Sequence, residues 1–190
     1  MRDLLPGAFL AGLGLVMGAS WQWPPVHGLD ARLMLRLNRA DAPKAIDTIL
    51  AALRILGTTP FFVTALILVA IAALQPRHAF GLVVAVLAAE GLTKGVKILA
   101  RRARPFEQDS RVVLRLARQP TDAGFPSGDA MRAAFLAGVA WVVIPSVGWL
   151  AAPVAVIVGL GRIRAGAHYP LDVWAGWCVG LGASLAWFGL

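Results

Sequence analysis

The stretch AAFLAGVAWVVIPSVGWLAAPVAVIVGLG, residues 133–161, decides the fold, because its 29 residues include no charged side chain. A helix that crosses a bilayer needs about 20 such residues, so the run is too long for a single crossing. Pro145, Ser146 and Gly148 stand near its middle, and these residue types form turns. The stretch therefore predicts two membrane-spanning helices joined by a tight turn.

The rest of the chain has the same character, since 58% of the residues are apolar and only 15% are charged. This composition is typical of a membrane protein. We predict an all-α, polytopic integral membrane protein, a six-helix transmembrane bundle that forms one domain over residues 1–190. The predicted spans are residues 5–21, 55–75, 79–100, 129–145, 148–164 and 170–189. Glu90, Lys94 and Lys97 interrupt the third span, and a bundle tolerates such residues where they are functional.

Residues 30–53, between the first two spans, carry recurring apolar side chains among Arg and Asp. This pattern is typical of amphipathic helices that lie at the membrane interface. We therefore predict one or two interfacial helices in this segment.

The formal net charge is +8, and six spans would distribute it unevenly over the two faces of the membrane. Twelve basic residues would share one face: Arg32, Arg36, Arg39, Lys44, Arg101, Arg102, Arg104, Arg111, Arg115, Arg118, Arg162 and Arg164. The other face has Arg2 and Arg77. The positive-inside rule and anionic headgroups explain much of this charge, and nothing in the pattern indicates nucleic acid. The imbalance exceeds what topology alone requires, so part of the charge is predicted to hold an anion.

Two short motifs lie in the long connection of the basic face. The first is KILARRARP, residues 97–105, where a spacing of four and three places Lys97, Arg101 and Arg104 on one face of a helix end. The second is Pro126-Ser127-Gly128, where Ser127 is a natural N-cap and the glycine leaves backbone N–H groups open to an anion. A snorkelling basic helix end and an ordinary capped helix are the alternative interpretations.

The third motif is GRIRAGAHYPLDVWAG, residues 161–176. His168 precedes Pro170 at a predicted helix start, and Asp172 follows four residues after the histidine. This spacing lets the carboxylate reach the imidazole, fix its tautomer and leave the other ring nitrogen free as a nucleophile. An interfacial histidine beside an aspartate that the helix dipole favours is the alternative.

Together, and in this order along the chain, the three motifs resemble those of the type 2 phosphatidic acid phosphatase superfamily, whose membrane members are six-helix lipid phosphatases. The resemblance implies a phosphatase that needs no metal ion and no other cofactor. It implies phosphoryl binding by Lys97, Arg104, Ser127, Gly128 and Arg162. His168 would attack phosphorus to form a phosphohistidine, and Asp172 would orient the imidazole. The remaining loop cations, Arg101, Arg102, Arg111, Arg115 and Arg118, are predicted to attract substrate or anionic lipid.

Two positions depart from the family pattern. Gly161 stands where the third motif usually has Ser, and Asp129 stands where the second motif has the His that protonates the leaving group. Asp129 is open to three interpretations: a replacement acid, a helix-start acid in a slow enzyme, and the mark of a lost activity with lipid binding retained. Of these we predict a working general acid. Asp129 in this catalytic role favours a diphosphate, because a phosphate leaving group (second pKa about 6) needs less protonation than an alkoxide (conjugate acid about 16).

We therefore predict a multi-pass lipid phosphatase of a bacterial inner membrane that acts on a polyprenyl diphosphate or a phospholipid phosphate and contacts membrane lipids. One alternative is a catalytically impaired relative that binds lipid phosphates. Another is a monoester phosphatase of the phosphatidic acid or phosphatidylglycerophosphate type. A third is an oxidoreductase, since the vanadium-dependent haloperoxidases share this anion site, although they are soluble. Positive-inside counting places the active face in the cytoplasm, whereas many bacterial relatives work on the outer side.

Overall fold

The computed structural model describes residues 4–39, 41, 43–73 and 75–188, and within these ranges the chain is helical with no strand. The helices of the described part are α1 (Leu4–Gly18), α2 (Pro24–Leu37), α3 (Lys44–Leu53), α4 (Thr59–Ala73), α5 (Pro76–Ala100), α6 (Pro105–Gln108), α7 (Gly128–Val143), α8 (Pro145–Arg164) and α9 (Pro170–Phe188). The predicted all-α class is confirmed. Helices α1, α4, α5, α7, α8 and α9 coincide with the six predicted spans to within a few residues.

Among the described residues, fewer helices than the six predicted spans are long and apolar enough to cross a membrane. Within the described ranges, two helical segments are long and apolar enough by themselves, Leu4–Gln22 and Pro145–Arg164. A third crossing results if the segments Lys44–Gly57 and Thr59–Ile71, which meet at a bend of 53°, count as one. The number of six spans, and the interfacial position of α2 and α3, stay predictions.

The apolar stretch 133–161 forms two helices, as predicted, and breaks at its proline. Helix α7 ends at Val143 and α8 begins at Pro145, whose missing N–H costs no hydrogen bond at the first helical position. Gly148 then lets α8 approach α7 closely, because a Cβ at this residue would overlap the backbone of Trp141. Proline and glycine thus make the tight turn between the two helices.

Helix α9 lies between α1 and α7, and glycines on both of its sides allow close contact. A Cβ at Gly182 would overlap the backbone of α1 at Gly7, and one at Gly176 would overlap the carbonyl oxygen of Ser127. The N-terminus of α7 is also tied to α9 by a hydrogen bond from Ser127 N–H to Asp172 O at 2.9 Å. This contact brings the second and third motifs together.

The connection between α5 and α7 is anchored over the end of the bundle where the motifs meet. Gly124 N–H donates to Arg102 O at 2.8 Å, and Arg115 N–H donates to Ala165 O at 3.0 Å. The side chain of Asn38, at the end of α2, bonds to both N–H and C=O of Val113. The long loop is therefore fixed to α2 and to the turn that carries the third motif.

Candidate active site

A cavity of about 310 Å³ opens at this end of the bundle, and all three motifs line it. His168 and Gly128 contribute to its wall. The other charged side chains are mostly cationic: Arg54, Lys94, Lys97, Arg104, Arg118, Arg132 and Arg162 face Glu90, Asp122 and Asp129. Seven cations against three acids make the cavity a site for an anion.

The two cations of the first motif converge on a single carboxylate. Lys97 Nζ donates to Asp122 Oδ2 at 2.7 Å and to Ala123 O at 2.7 Å. Arg104 Nη2 donates to Asp122 Oδ1 at 2.6 Å, and its Nη1 donates to Ala167 O at 2.8 Å. Burial acts to raise the pKa of Asp122, but the hydrogen bonds and charges of Lys97 and Arg104 outweigh it and hold this pKa at about 2. The Asp122 carboxylate therefore neutralises both cations at the cavity wall.

Arg162, the cation of the third motif, has unused hydrogen-bond donors inside the protein. The residue is only 5% exposed, and among the described residues its Nε and Nη1 have no hydrogen-bond partner. Its nearest counter-charge is Asp129, whose Oδ2 lies 3.2 Å from Nε. Buried donors are normally satisfied, so guanidinium donors without an acceptor in a cationic cavity point to a ligand that brings its own acceptors.

The second motif begins α7 at the wall of the cavity, as predicted. Ser127 is fully buried and caps the helix, since its Oγ accepts from Ala130 N–H at 3.5 Å. Gly128 is the first helical residue and lines the cavity. The positive end of the α7 dipole thus faces the same space as the cations.

The contacts of His168 define its tautomer. Nδ1 lies 2.8 Å from the carbonyl oxygen of Gly124, and because a carbonyl only accepts, Nδ1 must carry the hydrogen. Nε2 then holds a lone pair and accepts from Arg104 Nη1 at 3.2 Å. Burial, together with the charges of Arg104 and Arg162, lowers the pKa of His168 to about 4 against the opposite effect of Asp172. At neutral pH the imidazole is therefore uncharged, and it lines the cavity with Nε2 beside Arg104.

Asp172 lies beside His168, but its role in holding the ring is less direct than the spacing predicts. Its Oδ2 is 3.7 Å from Nδ1, which is longer than a hydrogen bond, and accepts instead from Tyr169 N–H at 2.8 Å. Its Oδ1 accepts from Arg102 Nη1 at 2.6 Å. The Gly124 carbonyl fixes the tautomer, and the carboxylate supplies negative charge next to it.

Arg102 and Asp30 complete a buried chain that the sequence interpretation missed. Arg102 is 1% exposed and bonds to Asp172 on one side and to Asp30 Oδ2 on the other, both at 2.6 Å. Its guanidinium also stacks on the ring of Tyr169 at 4.2 Å. The prediction that Arg102 belongs to a set of substrate-attracting cations is wrong, because this side chain is shielded and supports Asp172.

The same prediction is wrong for Arg115. This side chain donates to Asp47 Oδ2 at 3.0 Å and to the carbonyl oxygens of Arg39 and Arg164 at 2.9 and 3.1 Å. It therefore ties the long loop to the end of α8 and to α3. Arg118, by contrast, is exposed and lines the cavity, so its predicted role is compatible with its position.

Asp129 stands between two guanidinium groups. Its Oδ2 lies near Arg162 as described, and its Oδ1 lies 3.3 Å from Arg132 Nη1. Arg132 is in turn held by Glu90 through two hydrogen bonds of 2.6 and 3.0 Å. Arg132 and Glu90 were not among the predicted site residues, although the acid within the third predicted span was a signal of function.

The fold and the cavity define a class of protein, a helical membrane-type chain with an anion site built around a neutral histidine. Residues 78–190, more than half of the chain and including all three motifs, match the family model of the PAP2 superfamily. The chain belongs to this superfamily, and the predicted membership is confirmed. No three His, Cys, Asp or Glu side chains of the described residues gather as a metal site.

Relatives and solved structures agree with this membership. The chain is 35% identical over 85 residues to an undecaprenyl-diphosphatase of Sulfolobus acidocaldarius, a match that covers 44% of this chain and only 41% of that protein. The fold is similar to that of a transmembrane PAP2-type phosphatidylglycerolphosphate phosphatase from Bacillus subtilis, with a TM-score of 0.81, 20% identity, and coverage of 96% of this chain and 94% of that one. Aquifex aeolicus LpxE is also similar, with a TM-score of 0.73, 24% identity, and coverage of 84% and 94%.

Proposed function

We propose that this chain is a membrane lipid phosphatase that hydrolyses a polyprenyl diphosphate through a phosphohistidine intermediate. The observation that carries the proposal is His168, whose unprotonated Nε2 faces a cavity lined by Lys97, Arg104 and Arg162. Phosphoryl transfer requires mainly positioning and stabilisation of charge, which three cations and a helix N-terminus supply.

In the first step, the terminal phosphoryl group binds Lys97, Arg104 and Arg162 and displaces the Asp122 carboxylate. Arg104 Nη1 transfers its hydrogen bond from Nε2 to a phosphoryl oxygen, which frees the Nε2 lone pair. Nε2 of His168 then attacks phosphorus, and the bond to the bridging oxygen breaks, so its electron pair leaves with the polyprenyl phosphate. The phosphorylated imidazole keeps its hydrogen on Nδ1 and carries a positive charge. The Gly124 carbonyl at 2.8 Å and the Asp172 carboxylate at 3.7 Å stabilise that charge.

In the second step, water attacks the same phosphorus atom and the P–N bond breaks. The products are inorganic phosphate, which retains the hydrogens of the water, and a neutral His168. Asp129 occupies the position of the family's leaving-group acid, and a diphosphate makes little demand on that position because its leaving group is a weak base. The sequence relative named undecaprenyl-diphosphatase supports this choice of substrate.

An apolar groove beside the cavity supports a lipid substrate. It encloses about 260 Å³ between α4, α7 and α8, and its walls include Leu56, Ala133 and Ala137. Ala133 and Ala137 follow Asp129 along one face of α7 at intervals of four residues. Leu56 precedes Gly57, which packs directly on the backbone of Asp129. We propose that the polyprenyl chain lies in this groove with its head group in the cationic cavity.

The central experiment compares turnover of a polyprenyl diphosphate and of phosphatidic acid by the purified protein, followed by a search for the intermediate. With a terminally ³²P-labelled diphosphate, rapid quenching should trap label that is stable to base and labile to acid, as a phosphohistidine is. His168→Ala should abolish both turnover and trapping. The matched control is His78→Ala, at the opposite end of α5, which should keep both. Full activity of His168→Ala would refute the mechanism, and faster turnover of phosphatidic acid would favour the monoester alternative.

We also propose that the chain crosses the cell membrane six times with the cavity facing the cytoplasm. The imbalance of basic residues supports this orientation. A cysteine introduced at Arg111, whose side chain is 73% exposed, in a Cys178→Ala background provides the test. A membrane-impermeant reagent should label it only after the cells are permeabilised, and labelling in intact cells would place the cavity outside.

A further inference from the structure

The cavity holds more positive charge than one phosphoryl group requires. Three of its cations are engaged at the first phosphoryl position, namely Lys97, Arg104 and Arg162. Arg54, Lys94, Arg118 and Arg132 remain, and of these only Arg132 has a hydrogen-bond or ion-pair partner among the described residues. This surplus has to be matched by further negative charge when the cavity is filled.

Arg132 is placed to receive that charge. Glu90 occupies its Nε and one hydrogen of Nη2, and Asp129 lies near Nη1, which leaves two of its five N–H donors unused. The guanidinium touches the first turn of α7, since a Cβ added at Gly128 would lie 3.4 Å from Nη1. The guanidinium of Arg132 therefore lies near the N-terminus of its own helix, α7, where Asp129 approaches it with Oδ1 and approaches Arg162 with Oδ2.

Asp129 lies between the two guanidinium groups, with its carboxylate oxygens 3.2 Å from Arg162 Nε and 3.3 Å from Arg132 Nη1. A single carboxylate thus sets the spacing of two arginines at the cavity wall. The buried donors of Arg162 that have no hydrogen-bond partner in the described part lie at this same junction. Two arginines at this distance from one carboxylate suit a ligand with two adjacent phosphates. They suit a single phosphate with an acid beside it less well.

We propose that Arg132 forms a second phosphate subsite that holds the leaving phosphate of a diphosphate. Arg162, which also binds the terminal phosphoryl group, bridges the two phosphates, and Asp129 is a positioning residue for both arginines. This inference rests on the proposed function and specifies its substrate class. As Nε2 of His168 attacks the terminal phosphorus, the electron pair of the breaking bond passes to the inner phosphate. The new charge is neutralised by Arg132 and Arg162, so the step needs no proton from Asp129.

A binding experiment tests this subsite independently of catalysis. In a His168→Ala background, which cannot turn over, the affinities for inorganic pyrophosphate and orthophosphate are measured by calorimetry. The parent should bind pyrophosphate more tightly than orthophosphate. Adding Arg132→Met should weaken pyrophosphate by about ten- to a hundredfold, the range of a charge-assisted hydrogen bond, and orthophosphate by less than about threefold. Equal losses for both anions, or no loss for either, would overturn the subsite whatever His168 does.

Because Arg132→Met leaves Glu90 without its partner, the double variant Glu90→Gln/Arg132→Met serves as the control for folding. It should show the same selective loss of pyrophosphate binding with a melting temperature near that of the parent. Arg132→Lys should restore part of the affinity, since it returns the charge without the planar fork. Arg77→Gln, on an exposed side chain at the opposite end of α5 from the cavity, is the matched control and should change neither affinity.

The role of Asp129 is tested in the active protein with Asp129→Asn. As a positioning residue, it should raise the KM for the diphosphate more than it lowers kcat, and the alkaline limb of the kcat–pH profile should stay in place. A selective fall in kcat for a monoester with loss of that limb would identify Asp129 as the proton donor and overturn this assignment.

Discussion

Lowering the pH tests the arrangement around His168 without any substrate. A free imidazole titrates near pH 6.5, whereas the pKa of His168 is lowered to about 4 by burial and by the charges of Arg104 and Arg162. Between these two values the unfolded chain binds a proton that the folded chain does not bind. The free energy of unfolding should therefore fall as the pH falls from about 6.5 to about 4, by about 3 kcal/mol in all.

Nitrogen-15 NMR of the histidines in detergent micelles measures the titration directly. The chain has three histidines, and the His168 signals are those that disappear in His168→Gln. We expect a hydrogen on Nδ1 and none on Nε2 until the pH approaches 4. Thermal unfolding of the parent and of His168→Gln at pH 7 and pH 4.5 provides the second measurement, and only the parent should show the large loss of stability.

The control for these measurements is His78→Gln, which should leave the behaviour of the parent unchanged. Three results would refute the reasoning. They are titration of His168 near pH 6.5, a hydrogen on Nε2 at neutral pH, and equal pH dependence of stability in the parent and His168→Gln. The first would mean that the site is hydrated, and the second that Gly124 does not fix the tautomer.

Three substitutions test other parts of the site. Asp122→Asn should lower the inhibition constant of orthophosphate about five- to tenfold, because phosphate no longer competes with a carboxylate for two cations. A larger inhibition constant would contradict this. Arg162→Lys should lower kcat/KM by about a hundredfold or more, since a point charge does not replace a bidentate fork. Near-parental kinetics would show that Arg162 does not bind the phosphoryl group. Asp30→Ala should lower the free energy of unfolding by about 3–5 kcal/mol through its effect on a buried arginine. Asp109→Ala, which breaks a surface pair, should have a much smaller effect, and equal effects of the two would show that the Asp30 pair is solvated.

The helices could be predicted from the sequence because each is a continuous apolar run that ends at a residue with a strong local preference. Pro145 separated α7 from α8, and Pro170 marked the start of α9. Membrane crossing is harder to predict, since α5 carries Glu90, Lys94 and Lys97, which lower its apolar character where the site needs charge. The charged residues of α5 that line the cavity therefore make its membrane span harder to recognise from the sequence.

The three motifs could be predicted because the residues of each are close in sequence and because their order along the chain resembles that of a known family. The supporting contacts could not be predicted, since they join distant segments. Arg102 pairs with Asp30 across 72 residues, and Arg132 pairs with Glu90 across 42. Arg101 and Arg102 are equivalent in sequence, but the left-handed conformation of Arg101 (φ 46°) ends α5, and its own side chain is exposed whereas that of Arg102 is buried. The Gly124 carbonyl is a backbone acceptor and has no sequence signature.

The Asp30–Arg102–Asp172 chain has a consequence for biosynthesis. A polypeptide is made from its N-terminus, so Asp30 enters the membrane region before Arg102 exists, and Arg102 before Asp172. The support for His168 is complete only when α9, which carries Asp172, has packed beside α1 and α7. A chain that stalls before α9 is made carries the cations of the first motif without this support. Packing of α9 is therefore the step that completes the buried chain.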